Sequence, residues 1–181
     1  MAPRFITTLA CIALASLPAF AQADVKTALV KHLKTSRDFT LKVAEQMPDA
    51  DYGFKPTAET RPFGQLVAHV ALSQFGTCAA LKGDAAPPHK DDKEETTRGK
   101  SELVTLLKDS AAYCDPALTA MKDEEMPVLT KAGANQVAKG LFLLGTVTHG
   151  NEMYGTMAVY LRLKGLVPPS TERQNAQKKS Q

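Results

Sequence analysis

The sequence predicts an all-α protein, a four-helix bundle, from three observations. Apolar residues recur at three- and four-residue spacings through four long segments. Prolines and glycines punctuate the stretches between those segments. No stretch carries a period-two alternation strong enough to read as a strand. Four amphipathic helices with no sheet to pack on bury their stripes against one another, and the bundle is the simplest way to do so.

The first helix is expected from about Asp24 to Met47, with Val25, Leu29, Leu33, Phe39, Val43 and Met47 as its stripe, stopped by Pro48. Residues 49–61 read as an ordered loop. The second helix begins near Thr60 to Pro62, with proline suited to the first turn, and runs through Leu66, Val67, Val70, Phe75 and Cys78 to a stop at Gly83. Residues 83–98 are proline-rich and then densely charged, a solvated and mobile connection in which His89 is a surface residue. The third helix follows Thr96-Thr97, with Leu103, Leu106, Leu107, Ser110, Cys114, Leu118 and Met121 inward and Pro116 expected to kink or break its last segment. A loop at 127–133 leads to the fourth helix, from about Asn135 to Lys164, ended by Gly165 and Pro168-Pro169. The polar tail 170–181 is expected to fray.

At 181 residues the chain is sized for one domain, placed at 24–169. Ahead of it, Arg4, the apolar run Phe5 to Leu17 and Ala19-Phe20-Ala21 form a signal peptide over 1–23, cleaved near Ala21 or Ala23. That run is too short to span a membrane, so the mature chain is expected in the periplasm or outside the cell. Loss of Cys11 with the signal leaves Cys78 and Cys114. In an oxidising compartment they read as a structural disulfide rather than a redox pair or metal ligands. A net charge of +3, with no basic stripe carrying aromatics, gives no case for nucleic acid.

The chemistry-bearing stretch is His149 to Pro169. His149, Met153, Met157 and Tyr160 share one face of the fourth helix, and His69 lies on or beside the buried stripe of the second. From spacing, two readings stand: ligands of a metal, or a hydrogen-bonded pair in a polar pocket walled by Met157 and Tyr160. Arg162 and Lys164 oppose the helix dipole, which accounts for them. No serine triad, phosphate loop or carboxylate pair competes.

Three features together resemble the DinB-like family of helical-bundle proteins, and its exported members especially. They are DYGFKPTAETRPFGQLVAHVA (51–71), HGNEMYGTMAVYLRLKGLVPPS (149–170), and the cysteines on the second and third helices. The resemblance spans the mature chain. It implies a bundle of the DinB-like type with non-sequential, strand-free topology, a homodimer, and a divalent metal, zinc or nickel, held by three histidines. One of these comes from the second helix and two lie four apart on the fourth. His69 and His149 match two of those positions, and Met153 stands at the third. A thioether is a soft, weak ligand, poor for zinc at an open site. Glu152, about 100° round the helix from Met153, and His32 on the first helix are the candidate substitutes; His32 reads more simply as a half-buried or surface residue. A metal held here implies water or thiolate attacking a small substrate. Without metal, the pocket is expected to take a small-molecule ligand, or the protein to be structural.

Overall fold

The structure, a computed structural model, describes residues 24–180; the expected signal segment 1–23 lies outside them. The main helices are α1 (Val25–Gln46), α2 (Phe63–Lys82), α3 (Lys100–Thr119) and α4 (Lys139–Leu163), followed by a shorter α5 (Pro169–Lys179). Among the described residues no helix is long and apolar enough to cross a membrane.

Local chemistry sets the helix ends. The Asp24 carboxylate accepts the Thr27 backbone N–H at 3.1 Å, capping α1, and Pro48 follows its C-cap Met47. Gly83 ends α2 with φ 74°, placing the Asp84 N–H 3.0 Å from Ala79 O. Gly165 does the same for α4 with φ 75°, and the Leu166 N–H reaches Leu161 O at 2.9 Å. Both positions need the left-handed backbone that glycine adopts without a Cβ penalty.

Pro116 does not break α3. It lies in the last turn, where one missing N–H costs a single hydrogen bond, and the Ala120 N–H still reaches Pro116 O at 3.3 Å.

Contacts place the helices around the bundle in the order α1, α4, α2, α3. Their registers fix the directions. Gln74 meets Ser110 and Cys78 meets Cys114, so α2 and α3 run parallel. Arg37 pairs with Asp115 and Glu45 with Lys108, so α1 and α3 are antiparallel. Ser36 abuts Gly150 and Phe39 stacks on Tyr154, so α1 and α4 run parallel. The non-sequential bundle is therefore as expected, and parallel α2 and α3 force residues 83–99 to return the length of the bundle. That crossover is tied down rather than loose. Arg98, 6% exposed, pairs with Asp92 at 2.9 Å and Glu102 at 3.2 Å and donates to Lys93 O at 3.1 Å.

Two further expectations are corrected. The fold is not strand-free: β1 (Leu129–Ala132) and β2 (Asn135–Ala138) form an antiparallel hairpin, with Leu129 opposite Ala138 and Ala132 opposite Asn135. Gly133, with φ 61°, opens its two-residue turn. The fourth helix consequently starts at Lys139 rather than Asn135. Strands of four residues are too short to show a period, and pairing across the turn is what holds them.

The second correction concerns the tail, which continues as α5. Pro169 suits its first position, Glu172 lies in the first turn and Lys178 and Lys179 in the last, all favourable to the helix dipole. It docks through the Ser170 N–H to Tyr154 Oη at 2.9 Å, Gln46 to Glu172 at 3.0 Å, and Arg173 stacked on Phe39.

The core is split in two. One apolar cluster joins Val43, Met47, Phe63, Val67, Leu107, Met157 and Leu161; the other joins Leu33, Cys78, Cys114, Leu118, Leu143 and Val147. Between them lies a buried polar layer drawn from three of the helices, Ser36, Arg37 and Thr40 on α1, Gln74 on α2 and Ser110 on α3, while the buried Thr146 of α4 lies between Leu143 and Val147 of the second cluster. A polar group costs free energy to bury unless it is paired. Thr40 and Thr146 return their hydroxyls to Ser36 O and Phe142 O, and Ser110 Oγ lies 3.2 Å from Gln74 Oε1. Ser36 Oγ and two nitrogens of Arg37 find no protein partner.

At the end of the first cluster, Tyr52 donates its hydroxyl to Ala44 O at 2.7 Å. Burial, then Asp49 and Glu45, push its phenol well above the usual tyrosine range. The folded state thus holds this proton more tightly than the unfolded chain. The contribution is complete below about pH 10 and is lost as pH rises beyond it. Tyr52→Phe is expected to cost about 1 kcal/mol at neutral pH and to flatten the alkaline fall in stability. Urea midpoints from neutral to strongly alkaline pH test this; an unchanged alkaline slope contradicts it.

Candidate functional site

His69 sits in the second turn of α2, which Pro62 starts, and His149 lies near the middle of α4. Because α2 and α4 are neighbours, the two imidazoles meet edge to face, centroids 5.0 Å apart and planes at 80°. Both are part-buried, with His69 20% and His149 33% exposed.

Each Nδ1 faces a carboxylate. His69 Nδ1 lies 2.5 Å from Glu94 Oε1, and His149 Nδ1 lies 3.5 Å from Glu152 Oε2. Glu94 is itself held from the other side by Arg61 Nε, 3.3 Å from Oε2. A carboxylate on one ring nitrogen orients the imidazole and leaves the other nitrogen as the basic, ligand-type atom. At His149 that atom, Nε2, is buried and has no hydrogen-bond partner.

The other expected residues fall differently. Met153 is one turn beyond His149 but 6% exposed, packed in the first apolar cluster with Met157 and Tyr160. Tyr160 donates its hydroxyl to Arg61 O at 2.8 Å, which anchors the strand of loop that carries Arg61 to Glu94. Glu152 stands in solvent apart from its contact with His149. His32 is exposed on α1, and His89 pairs with Asp92 at 3.0 Å on the crossover. Lys164 does more than oppose a dipole: it binds Asp51 at 2.7 Å and lies over the Phe54 ring. Arg162 reaches Thr171 Oγ1 at 3.3 Å. Cys78 and Cys114 are joined, Cα atoms 5.4 Å apart, on the buried faces of α2 and α3.

Glu94 is the residue that sequence reasoning missed. It lies in a charged run with no periodic signal, and only the return path of the crossover brings it over α2. Beside His149 opens a cavity of about 360 Å³ lined by Val70, Thr77, Phe142 and Thr146, with Ala132 and Val137 of the hairpin as one wall. Its surfaces are mainly apolar, with Ser73, Gln74, Thr77, Thr146 and His149 as its polar members.

A helical bundle of order α1, α4, α2, α3, with facing histidines on its second and fourth helices, is the class that fold and site define. The chain belongs to the DinB superfamily, whose family model matches residues 32–157. It is similar to the protein YjoA of Bacillus subtilis (strain 168), with 24% identity over 138 residues, covering 76% of this chain and 89% of that one. Crystal structures share the fold. A DinB-like protein from Bacillus cereus ATCC 10987 aligns at TM-score 0.67 and 14% identity, over 79% of this chain and 95% of that one. A mycothiol-dependent maleylpyruvate isomerase aligns at 0.57 and 18% identity, over 75% of this chain and 60% of that one.

Proposed function

We propose that this chain is an exported DinB-superfamily protein whose facing histidines, His69 and His149, bind a divalent metal, zinc or nickel. The observation that carries the reading is the buried, unpartnered Nε2 of His149 beside a second imidazole whose Nδ1 is already held by Glu94. Two Nε2 donors with oriented rings suit a borderline ion. Among the described residues, no three His, Cys, Asp or Glu side chains converge as a metal cage. The pair therefore acts with solvent, or with the Met153 thioether, and holds the ion more weakly than three imidazoles do. An ion held this way supplies a Lewis acid with coordination positions open to water or a small ligand. The chain's own residues orient the rings through Glu94 and Arg61 and offer the apolar cavity beside His149 to the ligand's body.

The disulfide supports an oxidising, extracytoplasmic address. Exposed Leu141, Leu144, Val159 and Leu163 on α4 support a homodimer.

The test is metal content by mass spectrometry on protein exported to a periplasm and purified without chelator or histidine tag. The expected result is about one zinc or nickel ion per chain, lost in His69→Ala, with tighter binding in Met153→His. No metal after incubation with excess ions overturns the proposal and leaves the cavity beside His149 as a metal-free ligand pocket.

A further inference from the structure

The cavity between α2, α4 and the hairpin is formed before anything enters it. Its hairpin wall, Ala132 and Val137, is fixed at the base, where the Lys139 N–H donates to Val128 O and the Gly140 N–H to Met126 O, both at 2.9 Å. A Cβ at Gly140 would fall 3.1 Å from Met126 O and 2.9 Å from Met126 Cε, so glycine lets the loop after α3 approach α4 this closely. Gly145, further along α4, is different. A Cβ there would meet nothing within 4 Å, and the space it leaves is the mouth of the cavity. Glycine weakens a helix interior, and no packing contact requires it at this position.

The polar atoms of the cavity narrow what it holds. Along one wall α2 lays Ser73 and Thr77, one turn apart and both half-buried. Thr40 and Thr146 return their hydroxyls to helix carbonyls. The Ser73 and Thr77 hydroxyls have no such partner among the described residues, and unlike Ser36 Oγ they are not sealed off, so an entering molecule reaches them. The facing surface is apolar, with Val137, Leu141 and Phe142. No Asp, Glu, Lys or Arg lines the cavity, and Glu152, the carboxylate beside His149, stands outside it. An ionised group drawn in would lose its hydration with no counter-charge to replace it. A neutral hydroxyl meets two groups that both donate and accept.

We propose that this cavity selects an uncharged ligand, a phenol or alcohol with a compact apolar body. Its hydroxyl bonds Ser73 and Thr77, and its body lies against Val137, Leu141 and Phe142. The inference rests on the reading of this cavity as the ligand's place and does not depend on an ion at the histidines.

The experiment titrates the mature, disulfide-bonded protein with p-cresol, toluene, p-toluate and p-methylbenzylamine, four molecules of one shape that differ in polarity and charge. Binding is followed by calorimetry and by amide shifts in α2 and α4, with metal chelated throughout. Saturable binding of p-cresol is expected, with toluene about fivefold weaker for want of a hydrogen bond and both ions about tenfold weaker or more. The Ser73→Ala, Thr77→Val double variant keeps the shape and is expected to bring p-cresol down to the level of toluene. Gly145→Leu places a side chain in the mouth without a clash, and is expected to abolish binding while the protein stays folded; it decides the matter if the double variant does not fold. No saturable p-cresol binding, an ion or toluene binding as tightly as p-cresol, or binding that survives Gly145→Leu overturns the proposal. Metal content decides the ion and this titration, run in chelator, decides the cavity, so the failure of one is distinguishable from the failure of the other.

Discussion

Phe63→Ala is expected to lower the unfolding free energy by about 3–5 kcal/mol. Phe63 is the first residue of α2 and wholly buried. Its ring lies edge-on to Tyr52 at 5.2 Å and tilted against Tyr160 at 6.1 Å. It therefore joins the loop after α1, the start of α2 and the end of α4. The loop returns on the helix through backbone bonds, Phe63 N–H to Phe54 O at 2.9 Å and Gly64 N–H to Tyr52 O at 2.8 Å, so the cavity left by alanine has little room to collapse. The aromatic contacts add about 0.5–1.5 kcal/mol each beyond buried area, which places the expected loss in the upper part of the range. Urea unfolding gives the measurement. A loss under about 1 kcal/mol would mean that this end of the bundle repacks freely, contrary to the geometry.

The second large effect is removal of the disulfide. The Cys78→Ala, Cys114→Ala double variant is expected to lose about 2–4 kcal/mol. The bond spans a sequence separation of 36, and the loop that it closes contains the whole crossover. Because α2 and α3 are parallel, no short turn holds them together, and the unfolded chain gains the entropy of that entire excursion when the link is absent. Both alanines remain in the second apolar cluster, so the packing change is small and the entropic part dominates. Thermal unfolding of the variant, against the wild type with and without reductant, reads the effect. Equal stability in all three samples would show that Arg98 and the crossover contacts alone fix the α2–α3 register. Against a typical total of about 5–15 kcal/mol, either substitution is a large fraction of the stability.

How much of the site was legible depends on distance along the chain. His149 and Met153 share a face by helical period, and their placement follows from residues four apart. The pairing of His69 with His149 was reachable through family likeness, because no periodicity relates residues eighty positions apart. Glu94 was not legible at all: a carboxylate in a charged, proline-led run reads as solvated until the path of that run is known. Arg37 was hidden for the opposite reason. In sequence it is one of many cations on an amphipathic helix, and only the approach of α3 with Asp115 buries it.

By itself the sequence determined the four helices, their main stops at Pro48, Gly83 and Gly165, and the inward faces that carry Cys78, Cys114, His69 and His149. Those properties are local, set by periodicity, capping and the backbone limits of proline and glycine. The tertiary structure alone decided the parallel pairing of α2 and α3, the hairpin before α4, the docking of α5 and the polar layer dividing the core. Each of these rests on contacts between residues far apart in sequence, where the free energy of burial and pairing outweighs weak local preference.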